Sequence, residues 1–238
     1  FNLHGAMAIG VMMAGCVPGA MASNVLTLMS RGNVSYSVCL TTSATLLSPL
    51  IVPWALHITL QDEVKLLNLE QFPVYDTFIS LVWMVVLPVV LGHLLVRLSS
   101  RIEAILKPIG PIIANLAILW IIASIVGQKR ADLAQITGML LLILLLLNLT
   151  GYGAGFFGGK LLRLDGPMRR ALTLEVGMQN AGLGAVLAGK LFPDSSAAIP
   201  PVIYMFGCMF TGTILASLWA EIARRREQQN TPDDSPLA

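Results

Sequence analysis

The chain has 238 residues, 55% of them hydrophobic and 12% charged, with a net charge of +2. A soluble domain carries about twice that share of charge, so a mean hydropathy of +0.76 points to lipid as the solvent. The small net charge and scattered basic residues exclude a nucleic-acid partner, and three cysteines, Cys16, Cys39 and Cys208, in apolar stretches without ligand spacing exclude a disulfide framework. The cysteines read as small core residues.

In chain order, Phe1 opens directly into an apolar run, Gly5 to Cys16, which predicts a helix entered partway and a natural N-terminus lying upstream. Pro18 and Gly19 stop it, and a second short run, Ala22 to Ser30, ends at Arg31-Gly32-Asn33. Longer apolar segments follow from Val34 to about Leu60 (with Pro49 and Pro53), Thr77 to Val96 (with Pro88), Ile109 to Val126, and Leu133 to Leu162. A spanning helix needs roughly 20 such residues. Another short pair, Ala171 to Val176 and Ala181 to Leu191, is interrupted at Gly177-Met178-Gln179-Asn180, and a last span runs from Ile199 to Ala220. From Arg224 onward the composition is polar, and residues 221–238 read as a disordered tail.

Alternate loops test this count, because cytoplasmic loops accumulate Lys and Arg. One set holds Arg31, Arg97, Arg101, Lys107, Lys160, Arg163, Arg169, Arg170, Arg224, Arg225 and Arg226, eleven in all, against four (Lys65, Lys129, Arg130, Lys190) in the other. The split predicts a cytoplasmic C-terminus and an external Phe1. Within the fourth long segment Gly151, Gly155 and Gly159 recur every fourth residue, a stripe that lets one helix lie close against another.

Of the 13 acidic residues one alone falls inside an apolar segment, Glu175 in Ala171-Leu-Thr-Leu-Glu-Val-Gly-Met-Gln-Asn180. A carboxylate at membrane depth costs about 2.5 to 3.5 kcal/mol on insertion scales and faces a cavity or a partner. No Lys or Arg within the spans can pair with it, so a bound cation or a proton is the natural counter-charge. Gly177 permits a backbone break that turns carbonyls inward, and Gln179 and Asn180 add side-chain oxygens. Pro18-Gly-Ala-Met-Ala-Ser-Asn24 repeats that grammar, with Ser23 and Asn24 at the restart. Two interrupted helices in separate parts of a chain are the pointer to inverted repeats meeting at a midplane site. Ser37 and Thr41, four apart on the next helix, can add hydroxyls. Hard oxygen donors around one carboxylate suit an alkali cation better than a transition metal. The half-helix N-termini after the breaks could hold a substrate anion between Asn24 and Asn180.

Pro18-Gly-Ala-Met-Ala-Ser-Asn-Val-Leu-Thr-Leu-Met-Ser-Arg-Gly-Asn33, then Ser37 and Thr41, and Glu175-Val-Gly-Met-Gln-Asn180 resemble the two signature regions of the bile acid:sodium symporter family. The similarity extends to about Ala220. It implies an all-α polytopic transmembrane bundle of ten helices with inverted repeats and two broken, crossing helices, the fourth and the ninth. This chain would begin at the fourth. Helices in 1–60 and 109–191 would belong to a core domain, and those in 77–98 and 199–220 to a panel. By match to the motifs, one sodium ion would be held by Ser23, Asn24, Ser37, Thr41 and Glu175. A second would be held by Glu175, Gln179 and the main-chain oxygens of Val176 and Met178, with a further glutamine from a helix preceding Phe1. Family members often show Gly-Gly-Thr where this chain has Gly19-Ala20-Met21, and some bacterial members carry His-Asn where it has Cys208-Met209. Met21 and Cys208 therefore mark a less polar substrate cavity.

The expected activity is sodium-coupled uptake of an organic anion, a steroid like a bile acid or a small carboxylate such as a 2-keto acid or a pantoate-like compound, across a bacterial cytoplasmic membrane. A proton-coupled transporter is the alternative, since Glu175 could titrate. A passive channel would need polar residues lining several helices. An enzyme would need a nucleophile with a base or paired carboxylates. His4, His57 and His93 lie near span ends or in apolar surroundings and supply neither. The sequence does not fix the oligomeric state, and a monomer is compatible with it.

Overall fold

Pro18 has no N–H to donate and forces the residue before it out of the helical region. Val17 accordingly adopts φ −75°, ψ 155°, and the first helix, α1 (Ala6–Cys16), stops there. In the computed structural model, which describes residues 5–66, 72–131, 136–193 and 195–230, the chain resumes as α2 (Ala22–Met29) and α3 (Val34–Thr59). The turn between them places Arg31 in the left-handed region at φ 56°, with Gly32 N–H donating to Thr27 C=O at 2.8 Å, and Asn33 caps α3 by accepting from Tyr36 N–H.

After the short α4 (Gln61–Leu66), one long helix is built from α5 (Val74–Leu81), a π turn (Val82–Val86) and α6 (Leu87–Leu98). The π turn sits just ahead of Pro88, whose ring cannot pack over the carbonyl four residues back, and Leu87 N–H bonds Val82 C=O instead. Next come α7 (Ser100–Gln128) and α8 (Gly138–Leu161). The second interrupted pair is α9 (Gly166–Gly177), capped by Asp165, and α10 (Ala181–Leu191). The final helix, α11, is Ile199–Asn230.

The boundaries of the long spans follow the apolar runs except at two starts: α7 begins at Ser100, ahead of the expected Ile109, and α8 at Gly138, after the expected Leu133. The polar end departs from expectation: α11 continues to Asn230, so residues 221–230 of the expected disordered tail are helical. Glu221 pairs with Arg225 at 2.8 Å, an i,i+4 contact that extends a helix built of strong helix formers. The remainder of that tail, like His4 and Phe1, lies outside the described residues.

Among the described residues four helices are long and apolar enough to cross a bilayer: Val34–Thr59, Val74–Leu98, Gly138–Leu161 and Ile199–Arg225. Their outer faces carry exposed Leu50, Ile51, Trp83, Leu142, Leu149 and Phe210, a surface that water would not tolerate and lipid does. This is an all-α, multi-pass membrane bundle. Three buried clusters fill it: one joins α1, α3, α5 and α10, a second α1, α8, α10 and α11, and a third α2, α8, α9 and α11. The glycine stripe serves close packing of α8 on α9: a Cβ on Gly155 would stand 2.7 Å from Thr173 Cα, and one on Gly151 2.9 Å from Val176 C=O. The cysteines divide, contrary to the expectation that all three fill the core. Cys208 is buried, Cys16 half-buried and Cys39 exposed, because Cys39 lies on the outer face of α3.

Candidate functional site

The two breaks meet. Gly19 and Gln179 form an isolated antiparallel bridge, in which Ala20 N–H donates to Met178 C=O and Asn180 N–H donates to Pro18 C=O, each at 2.7 Å. Extended backbone with no helical partner must find another one away from water, and each break supplies the other's. On one side of the crossing α1 packs on α10, and on the other α2 packs on α9. The ends of α2 and α9 are clasped as well, through Asn33 N–H to Pro167 C=O at 3.1 Å and the Arg170 guanidinium to Ser30 C=O at 2.7 Å.

Glu175 lies in the last turn of α9 beside this crossing, 6% exposed. Its Oε2 accepts from the hydroxyls of Ser23 at 2.5 Å and Thr41 at 2.6 Å, so α2 and α3 are both joined to α9 through one oxygen. The other oxygen, Oε1, is buried without a hydrogen-bond partner. Gly19 stands against it, and a Cβ there would fall on the carboxyl group.

Asn24 extends the set through its Oδ1, 3.4 Å from Thr41 Oγ1. Ser37 sits one step behind: its hydroxyl pairs with Thr27 at 3.2 Å and its carbonyl with Thr41. Of the expected first cation set, Ser23 and Thr41 bond Glu175, Asn24 reaches Thr41, and Ser37 stands behind Thr41 together with Thr27, a residue the spacing did not single out. The donors are all neutral oxygens except one carboxylate, and one carboxylate oxygen is unpartnered, a combination that fits an alkali cation.

The expected second set is engaged differently. Met178 C=O accepts from Ala20 N–H, and Val176 C=O accepts from the Gln179 side-chain amide at 3.1 Å. Gly177 remains helical without a positive φ. Its lack of a side chain is required by space, since a Cβ would run into the Tyr152 ring. The break itself falls at Met178, where φ −109° and ψ 91° are extended.

Asn24 and Asn180, expected to play matching parts, do not. Asn180 Oδ1 accepts from Leu183 N–H at 3.1 Å and caps α10, whereas the start of α2 has no side-chain cap and Asn24 turns toward Thr41. Met21 is exposed, while Cys208 is buried in the cluster of α1, α8, α10 and α11 and lines a small cavity with Leu144, Asn148 and Tyr204. The two positions expected to face substrate thus differ in surroundings. Sequence reasoning also passed over Asn148, Tyr204 and Thr211. Asn148 had a signal, an amide within an otherwise apolar run.

Residues 1–136 match the model of the Sodium Bile acid symporter family. The chain is 34% identical over 233 residues to a Bacillus subtilis protein described as "Uncharacterized sodium-dependent transporter YocS", covering 95% of this chain and 69% of that protein. It is 28% identical to the "Probable sodium/metabolite cotransporter BASS1, chloroplastic" of Arabidopsis thaliana, covering 94% of this chain and 55% of that protein. With "Sodium/bile acid cotransporter 4" of Rattus norvegicus it shares 25% identity over 100% of this chain and 56% of that protein. The chain thus spans between about half and two thirds of the length of these relatives.

Proposed function

The chain belongs to the sodium bile acid symporter family, and on that premise we propose that it takes part in sodium-coupled import of an organic anion by alternating access. The observation that carries the reading is the placement of Glu175, whose Oε2 receives hydroxyls from α2 and α3 while Oε1 is buried and unpartnered beside the crossing. A sodium ion at that oxygen would be a ligand that favours the crossed arrangement, and so shifts a conformational population. Ser23, Asn24, Thr41 and Glu175 would supply its oxygens, with Ser37 steadying Thr41. The second ion would lie on the Gln179 side, where Val176 and Met178 carbonyls each keep a lone pair after the bonds described.

The substrate class follows from charge and polarity. Helix α10 presents its N-terminus at the crossing, the end of a helix that attracts an anion. Exposed Met21 makes the neighbouring surface apolar, which suits a carboxylate with a hydrocarbon body, either a steroid or a smaller 2-keto or pantoate-like acid. Helices in 1–60 and 109–191 would form the core and those in 77–98 and 199–220 the panel that moves against it. The excess of basic residues at one set of loops supports a cytoplasmic C-terminus, in the inner membrane of a bacterial cell.

Two sodium ions moving with one monovalent anion would couple well to an ordinary gradient. Each tenfold sodium gradient contributes about 1.4 kcal/mol, and one net charge contributes about 2.3 kcal/mol per 100 mV. The sum of roughly 5 kcal/mol corresponds to several-thousandfold accumulation.

The test is uptake of a panel of radiolabelled organic acids into proteoliposomes of the intact protein, with sodium replaced by choline at constant pH. Sodium-dependent uptake that disappears in Glu175→Gln and falls in Asn24→Ala is the expected result. Uptake indifferent to sodium but driven by a pH gradient would replace this reading with proton coupling.

A further inference from the structure

Helix α8 ends in Lys160-Leu161, and the turn that follows holds Arg163 in the left-handed region at φ 55°, its N–H donating to Lys160 C=O at 3.1 Å. Lys160 and Arg163 are both exposed. A third cation comes from α9: the Arg169 guanidinium lies 5.1 Å from the centre of the Phe156 ring, and Phe156 stands one turn before Lys160 on α8. Three positive side chains therefore gather at the corner where α8 gives way to α9.

Asp165 is the single acidic residue between Gly138 and Arg170, and its carboxylate is committed to the cap of α9, accepting from Met168 N–H at 2.8 Å. Among the described residues none of Lys160, Arg163 and Arg169 forms an ion pair. The end of α11 is different, because Arg224 and Arg225 reach Glu221 there at 3.7 and 2.8 Å.

Toward the bilayer the same corner is apolar. Phe157 and Leu161, at i and i+4 on α8, form a ridge beside Phe156 and Lys160, and they are 66% and 84% exposed. One turn further along, Gly153 leaves open space where a side chain would stand, and exposed Leu149 follows. From Leu149 to Leu161 this face runs about 18 Å along the helix axis. A soluble anion would engage the charges and leave the ridge bare, whereas a lipid with an anionic headgroup covers both.

We propose that Lys160, Arg163 and Arg169 bind the headgroup of an anionic phospholipid whose acyl chains lie along Phe157, Leu161 and the notch at Gly153. The lipid would join the end of α8 to α9, the helix whose last turn carries Glu175. This site does not depend on the sodium-coupled reading, since neither the ion nor a transported anion takes part in it. Basic residues at one face of a membrane protein attract anionic lipids diffusely; a site differs in needing these particular cations and the chains as well.

The experiment follows thermal unfolding of the purified intact protein in detergent while dioleoylphosphatidylglycerol is titrated, with dioleoylphosphatidylcholine and chain-free glycerol 3-phosphate in parallel. Phosphatidylglycerol is expected to raise the unfolding temperature saturably, and the other two to leave it unchanged. Half-saturating phosphatidylglycerol should rise about tenfold or more in Lys160→Gln with Arg163→Asn, where two surface cations are lost and Asn tolerates the left-handed backbone. Arg169→Gln, which leaves the turn intact, should raise it about fivefold. Arg224→Gln with Arg225→Gln should leave it at the wild-type value. Equal losses in the two double variants would mean charge spread over the whole face and overturn the proposal. So would phosphatidylglycerol acting no better than phosphatidylcholine, or glycerol 3-phosphate acting as well as the lipid.

Discussion

Gly19 and Glu175 approach so closely that a Cβ on Gly19 would lie 2.6 Å from the carboxyl carbon and 2.9 Å from the Glu175 backbone oxygen. Neither neighbour can yield without disturbing the bonds from Ser23 and Thr41. Gly19→Ala is therefore expected to lose at least tenfold in sodium-dependent uptake and to lower stability by about 1 to 3 kcal/mol, as overpacking does. Gly189→Ala, where a Cβ meets nothing within 4 Å, is the matched control and should transport normally.

Ser23 and Thr41 share one oxygen of Glu175. A hydrogen bond to a charged group is worth about 1.5 to 3 kcal/mol, so Ser23→Ala and Thr41→Val should each raise half-saturating sodium roughly ten- to hundredfold in uptake assays. Their combination is expected to fall short of the product, because groups on a common partner are not independent. Thr41→Ser keeps the hydroxyl and should stay within about threefold of wild type.

The face of α8 against α9 tolerates no bulk. Gly155→Leu would drive a side chain into Thr173 and Leu172, and folded protein recovered by size-exclusion chromatography in detergent should fall to a small fraction of wild type. Gly153, on the same helix with open space around its missing Cβ, is expected to accept Ala with no loss.

Asn180 and Asn24 should separate in experiment as they do in place. Asn180→Ala removes the cap of α10 and is expected to lower stability by about 0.5 to 2 kcal/mol, measured by thermal unfolding without sodium, with Asn180→Ser recovering most of it. Asn24→Ala leaves α10 intact and should act on the sodium titration instead.

The breaks were legible in the sequence because proline and a glycine-polar run inside apolar helices are local signals, and Glu175 because a carboxylate stands out against hydrocarbon. That Ser23 and Thr41 converge on one oxygen needed the resemblance, since it joins residues 152 and 134 positions away from it. The unequal parts of Asn24 and Asn180 could not be read from matching motifs: Asn180 is the N-cap residue of α10, whereas α2 starts at Ala22, so Asn24 lies inside its first turn. Tyr204 and Thr211 look like ordinary residues of an apolar span until Gly177 is placed beside them: Tyr204 donates to its carbonyl, and Thr211 bonds the Asn148 amide that does the same. The helical continuation of α11 was hidden by composition, since Glu, Arg and Gln suit a helix and a solvated coil alike.

The pair of backbone bonds at the crossing also limits how this chain can be divided. A fragment ending before α7 would keep the opening at Pro18 but lose Met178 and Asn180, and a fragment beginning there would suffer the converse; each would present bare peptide groups to acyl chains. The two stretches are obligate companions during biogenesis. The peptide groups of the first find these partners only once the second has been synthesised.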